Sequence, residues 1–247
     1  KPSSKYPTNF PAPSKAPSEV ATTDKADNLD NPRDGVTLTY LANEGVLLRR
    51  RDVAVVIDGL HRFYGESYDV LPDHERERLE TGQDEYADID VLIATHRHGD
   101  HVHPEAILRH LRANTSATFV AAEQVTTELA ALPGAEEVMT RVRSIPWRVG
   151  ASEPLDVGGA RVELLGLRHA GGRHAEVASL GVVVTLGDLA IAHFGDAEGS
   201  AENLAPFRLH ERGLAGAVVP AWWVLDEASR SVIRAHIAPR KLFLAHV

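Results

Sequence analysis

Residues 95–101 read Thr-His-Arg-His-Gly-Asp-His, three histidines and an aspartate packed behind an apolar run. That run, Ile89-Asp90-Val91-Leu92-Ile93-Ala94, has the length and content of a buried strand. The fold must therefore end a strand at this cluster. His96 and His98 are two apart, so on extended backbone their imidazoles point the same way. Asp100 and His101 then aim at a neighbouring point. Neutral imidazole and carboxylate suit zinc, manganese or iron. A strand ending this way can hold one metal ion, or two ions a few ångströms apart.

The rest of the composition narrows the alternatives. A chain of 247 residues can bury a sizeable core, and one domain is the simplest expectation. A net charge of −9 argues against a nucleic-acid groove, which needs clustered Lys and Arg. The one dense basic run, Arg49-Arg50-Arg51, reads as a solvated turn between strands. The absence of cysteine excludes disulfides, thiolate metal sites and a Cys nucleophile, and fits either redox compartment. No apolar run approaches the roughly 20 residues of a membrane span. A small-molecule substrate is the expected partner. The first residue is Lys rather than Met, which suggests a processed or engineered N-terminus.

Residues 1–34 differ from the rest of the chain. They are rich in Pro, Ser, Thr and Asp, and four of the five lysines lie in the first 25 positions. This reads as a tail or linker. A spacer behind the anchor of an exported protein and a cytoplasmic arm both fit. From Val36 onward the pattern alternates strands and helices. Strands are expected at Val36–Leu41, Val46–Leu48, Val53–Ile57, Ala117–Ala121, Arg141–Ile145, Ala160–Leu167, Leu180–Leu186, Leu189–Ala192, Ala217–Val219 and Leu242–Ala245. Helices are expected near Asp73–Thr81, from Pro104 to Leu111, and over Glu123–Ala131, Glu202–Arg212 and Asp226–Ala235. By pattern alone this is an α/β or α+β protein.

His96-x-His98-x-Asp100-His101 resembles the HxHxDH signature of metallo-β-lactamase-fold hydrolases. The resemblance extends over roughly residues 35–247 and implies an αββα sandwich of two mixed sheets flanked by helices. It also implies further landmarks. Gly195-Asp196, after the strand that includes His193, resembles the motif whose aspartate bridges two metals. His193 itself would be a supporting residue rather than a ligand. His169, directly off a strand, is preferred as the third histidine ligand, with His174 left as a loop residue near the pocket. His246, after the final strand, resembles the closing ligand, and His236 is the less suitable choice. Asp58, ending a buried strand, matches a recurrent aspartate that orients ligands through hydrogen bonds.

The implied site places His96, His98 and His169 on one metal and Asp100, His101 and His246 on the other, with Asp196 shared. Two divalent ions are expected, zinc first, with manganese or iron as alternatives. The implied activity is a dinuclear hydrolase that uses a bridging hydroxide on an ester-like bond of a lactone, phosphodiester or related small molecule. Asp100 would shuttle the proton. Within the family the chain looks most like the group around ascorbate-phosphate lactonases. A redox or sensing protein using iron on the same fold is the alternative. His61, Phe63, Tyr64, Tyr68, His174, Trp222 and Trp223 are candidate pocket residues. His74, His103, His110 and His210 read as ordinary surface or capping histidines.

Overall fold

β4 (Val91–Ala94), the strand that runs into the histidine cluster, is buried along its whole length. It lies between two parallel neighbours, β3 (Val53–Ile57) and β5 (Thr118–Ala122), in a sheet ordered β1-β2-β3-β4-β5-β6. Here β1 is Thr37–Tyr40, β2 is Val46–Arg50 and β6 is Val142–Ile145. The first three strands are antiparallel hairpin partners and the rest are parallel. The second sheet is ordered β12-β11-β10-β9-β8-β7. It comprises β7 (Ser152–Val157), β8 (Ala160–Leu167), β9 (Ser179–Leu186), β10 (Leu189–His193), β11 (Gly216–Pro220) and β12 (Leu242–Ala245). This computed structural model describes residues 35–62, 65 and 68–247. The stretch read as a tail, residues 1–34, and the pocket candidates Phe63 and Tyr64 lie outside the described residues.

Strand alternation explains the layering. In β3 and β4, Ala54, Val56, Leu92 and Ala94 join one apolar cluster with the helices α1 (Asp73–Glu80), α2 (Pro104–Ala113) and α3 (Glu123–Ala130). Their alternates Val55, Ile57, Val91 and Ile93 join another, with Val162, Leu164, Val182 and Val184 of the opposite sheet. The other side of that sheet sends Leu165, Leu167, Val183, Ala217 and Val219 into a third cluster, under α4 (Ala201–Leu204), α5 (Trp222–Leu225) and α6 (Glu227–Val232). Successive side chains of a strand face opposite ways, so one central strand feeds two cores. The result is the αββα sandwich. α2 starts with Pro104, whose missing N–H costs nothing at the first turn. Truncating its fully buried Leu111 to Ala would cost about 2–5 kcal/mol.

One expected element differs, and one strand was not expected. The helix read over Glu202–Arg212 is α4 followed by two 3₁₀ turns, Ala205–Phe207 and Leu209–Glu211, with Arg208 at φ 49° between them. Pro206 supplies no backbone N–H and disfavours helical backbone just before it. β7 escaped the sequence reading because Ser-Glu-Pro-Leu-Asp-Val is polar and contains proline. It is an edge strand that pairs only with β8, where proline is tolerated. No helix among the described residues is long and apolar enough to cross a membrane.

Candidate metal centre

The site is built where β3 and β4 end side by side. Asp58, the first residue past β3, takes φ 51°, a conformation that Asp adopts more readily than most residues. Its backbone N–H donates to the Ile93 carbonyl at 3.0 Å. Its carboxylate accepts the Thr95 N–H at 2.8 Å and the Thr95 hydroxyl at 2.6 Å. The same carboxylate faces His101 Nδ1 at 2.8 Å. This hydrogen bond assigns the His101 proton to Nδ1 and turns Nε2 toward the site. The turn after His98, closed by His101 N–H to the His98 carbonyl at 3.0 Å, brings Asp100 and His101 back beside His96.

The second sheet delivers the opposing residues. β10 ends at His193, which is wholly buried. Its Nε2 meets the Glu44 carbonyl at 2.8 Å, and its Nδ1 accepts the Gly195 N–H at 3.2 Å. This is a neutral ring bracing the turn that carries Asp196. Gly195 has φ 48°, and a Cβ there would sit 2.6 Å from Thr95 Oγ1. Glycine is needed on both counts for the two sheets to meet at this point. His169 follows β8, bridges to Ala197 across the strand ends, and contacts the Ala170 carbonyl through Nδ1 at 2.7 Å. That contact leaves Nε2 to face the site.

Two clusters result. In the first, His96 Nε2 is 2.9 Å from His98 Nδ1, and His169 Nε2 is 3.3 Å and 3.2 Å from these two atoms. Ligand atoms about 2.0–2.1 Å from a tetrahedral zinc lie roughly 3.4 Å apart, so this triangle fits such an ion. Burial pushes His96 well below the ordinary imidazole range. Burial, with the neighbouring His169, pushes His98 down to about 4. Neutral imidazole is the form that binds metal. In the second cluster, His101 Nε2 lies 3.2 Å from Asp196 Oδ1 and 3.6 Å from Asp100 Oδ2. His246 Nε2 lies 3.2 Å from Asp100 Oδ2 and 3.6 Å from Asp196 Oδ1. Asp196 belongs to both groups, and the ligand atoms of each lie within 4.8 Å of one another.

Two atoms test whether a cation fits. His101 Nε2 and Asp196 Oδ1 are buried, face each other, and have no hydrogen-bond partner. Such orphaned atoms are rare unless something binds them. Burial works against charge on both residues. Even so, the Asp196 and Asp58 carboxylates raise the pKa of His101 well above the usual imidazole value. The charged His101 imidazole beside it holds Asp196 far below the usual carboxylate range. The donor set favours positive charge at this spot, and a metal ion held by His101 and Asp196 would supply it in place of the imidazole proton.

Asn43 is a functional residue that the sequence did not reveal. Its side-chain amide donates to the Asp100 carbonyl at 2.9 Å and reaches Asp100 Oδ2 at 3.3 Å. Its own carbonyl accepts the His246 N–H at 2.9 Å. Glu44 beside it is fully buried with neither carboxylate oxygen hydrogen-bonded, Oε2 lying 3.5 Å from His193 Nε2, and burial raises its pKa well above normal. Only their place in an Asn-Glu-Gly turn was visible in the sequence, with nothing to tie that turn to the metal ligands.

The pocket candidates separate. Trp222 packs edge-on against His246 at 5.0 Å, as Tyr68 does at 5.4 Å. His174 lies 4.8 Å from the rings of both His98 and His169, outside either ligand group. Trp223 is not a pocket residue. It is wholly buried, against Phe194 at 5.3 Å, and its indole N–H donates to the Ala197 carbonyl at 3.0 Å. His61 is also enclosed, held between the Asp58 and Asp69 carbonyls at 3.0 and 3.2 Å. It pins the loop instead of lining the pocket. His110, read as a surface or capping histidine, is wholly buried, and its Nδ1 on the Leu79 carbonyl at 2.6 Å caps the last turn of α1. His236 packs against His210 at 6.4 Å and belongs to neither ligand group.

A family model described as the beta-lactamase superfamily domain matches residues 67–221, more than half of the chain. Among solved structures, the chain is similar to Igni18, a metallo hydrolase from the archaeon Ignicoccus hospitalis. The two share 18% identity with a TM-score of 0.58, over 85% of this chain and 82% of that one. It is also similar to an isothiocyanate hydrolase from Delia radicum gut bacteria, at 14% identity and TM-score 0.54, over 85% of this chain and 84% of that one. CmlA, a diiron beta-hydroxylase from Streptomyces venezuelae, matches at 17% identity and TM-score 0.52, over 88% of this chain but 45% of CmlA. At these identities the likeness establishes the fold. No curated protein matches the sequence.

Proposed function

The chain belongs to the beta-lactamase superfamily, and from that premise we propose a dinuclear metal-dependent hydrolase acting on an ester-like bond of a small molecule. Lactones, phosphodiesters and related compounds are the substrate classes. The observation that carries the reading is the pair of ligand groups sharing Asp196, with an orphaned imidazole nitrogen and carboxylate oxygen facing each other between them. His96, His98, His169 and Asp196 would hold one ion, and Asp100, His101, His246 and Asp196 the other. When bound, two divalent cations supply acidified water as the nucleophile and polarise the substrate's carbonyl or phosphoryl oxygen.

The remaining work falls to the chain. Asp58 holds the His101 ring with Nε2 forward, and Thr95 ties Asp58 to the start of the motif. Asn43 holds Asp100 in place. Asp100 accepts the proton released at the nucleophile and returns it to the leaving group. Trp222 and Tyr68 wall the His246 side and exclude water from the substrate's apolar part. Zinc is the first choice of metal, and manganese or iron satisfies the same imidazole and carboxylate donors.

A second reading is a redox or sensing protein that uses iron. It is favoured by a donor set without thiolate and by the fold shared with a diiron hydroxylase. Elemental analysis of protein purified without added metal separates the two. The hydrolase reading expects about two divalent ions per chain and turnover in a screen of lactone, phosphodiester and β-lactam substrates. The His96→Ala/His98→Ala double variant should lose turnover by at least about a thousandfold. Active, freshly purified protein with metal content near zero would sink this reading, and two irons with no turnover would favour the second.

A further inference from the structure

Four histidines in and around the first ligand group are each preceded or followed directly by an arginine: Arg97 beside His96 and His98, Arg168 before His169, and Arg173 before His174. Two of these arginines are neutralised. Arg97 pairs with Glu128, and Arg168 pairs with Glu202 at 2.9 Å. Arg173 is exposed, and among the described residues no carboxylate pairs with it. Among the described residues its one side-chain hydrogen bond is Nε–H to His174 Nε2 at 2.9 Å. That bond makes His174 Nε2 the acceptor, so the neutral ring carries its proton on Nδ1. The His174 ring in turn rests 4.8 Å from the rings of His98 and His169. An uncompensated guanidinium is thereby moored, through one imidazole, at the rim of the imidazole half of the centre. The opposite rim, around His246, is aromatic, formed by Trp222 and Tyr68.

We propose that Arg173 and His174 form an oxyanion-recognising arm, so that the substrate carries a carboxylate or phosphate group separate from the bond it presents to the metals. This rests on the hydrolase reading above and names the substrate class of that same site. Arginine offers a planar fork suited to carboxylate and phosphate, and the His174 Nδ1–H adds a donor. The substrate then lies with its anionic end over the His98–His169 side and its apolar end between Trp222 and Tyr68. The scissile bond falls between, over the shared Asp196.

The test compares 4-nitrophenyl acetate with 4-nitrophenyl hydrogen succinate, which share a leaving group and differ by a remote carboxylate. The full chain is used, loaded to equal metal content in every variant. Arg173→Gln should lower the ratio of kcat/KM for succinate over acetate about tenfold, mainly through the KM of the succinate ester. Arg173→Lys should restore part of that ratio by returning the charge without the fork. A ratio that moves less than twofold in Arg173→Gln overturns the proposal. If the loaded wild-type protein cleaves neither ester, the hydrolase reading has failed for this class. The arm is then read by calorimetric titration with monomethyl succinate. A roughly tenfold weaker Kd in Arg173→Gln supports the arm, and an unchanged Kd overturns it.

Discussion

His96, His98 and His169 leave the ends of strands β4 and β8, whereas Asp100, His101 and His246 are gathered from a turn and from the residue past β12. The first three need little outside help. His96 and His98 lie in and just past the bend directly after β4, their ring centres 4.5 Å apart, and His169 is braced by the carbonyl next to it. The other three depend on partners distant in sequence. His101 leans on Asp58, 43 residues away, and Asp100 on Asn43, 57 residues away. His246 sits at φ 56°, and its backbone N–H is held by the Asn43 carbonyl. One half of the centre is thus placed just past strand ends and the other by a hydrogen-bonded scaffold. Only Asp196 is common to both.

The strongest challenge to this two-part description is therefore Asp196→Ala. Both ligand groups lose a donor, and in the proposed dinuclear centre the two cations would lose their shared carboxylate. Metal content should fall from about two per chain to below one, with turnover down at least about a thousandfold. Elemental analysis after dialysis checks the first figure and steady-state kinetics the second. A variant that still holds two ions would show that the halves are not joined through this carboxylate.

The same contrast decided what could be read before the structure. The HxHxDH run is local, and its strand context is written in the residues just before it. Asp196, His169 and His246 carry only a short local mark each, a Gly-Asp pair or a place after a strand; resemblance in order and spacing pointed to them, and the fold brings them together. Asn43, Thr95 and Glu44 were invisible because their roles arise from tertiary contacts. The adjacent tryptophans show another limit. Neighbouring residues in a helical turn point about 100° apart, so Trp222 faces His246 while Trp223 enters the core. Composition alone treats them as equals. The three-layer core was legible because the central strands are apolar on both faces. Polar β7 and the proline-broken segment after α4 were not.

His246→Ala sharpens the comparison with a smaller effect. The first group keeps three imidazoles and Asp196, and the second retains Asp100, His101 and the shared carboxylate. Affinity for the second ion should fall roughly a hundredfold or more, above the loss typical of an outer partner, and the first should shift little. Competition with a chromogenic chelator resolves two dissociation constants. Equal weakening of both ions would mean that His246 serves the whole centre.

The smallest effect should come from Asp58→Asn, a change of one atom that touches no metal. The Asp58 carboxylate accepts three hydrogen bonds, from the Thr95 N–H, the Thr95 hydroxyl and His101 Nδ1–H. An amide has one acceptor oxygen and an NH2 that only donates. Whichever way the substituted amide turns, a buried donor faces another donor, at a cost of about 1–3 kcal/mol to the fold. The His101 ring also loses the carboxylate that fixes its tautomer and raises the basicity of Nε2. Losing such a partner weakens metal affinity about 10–100-fold. The loss should fall mainly on the ion held by His101, because the first group meets Asp58 only indirectly, through Thr95 Oγ1 and His96 Nδ1 at 3.1 Å. Turnover should fall in low metal and recover in excess metal, since every ligand remains. Activity that stays low at saturating metal would instead place Asp58 in the chemistry itself and dissolve the distinction between a strand-built half and a scaffolded one.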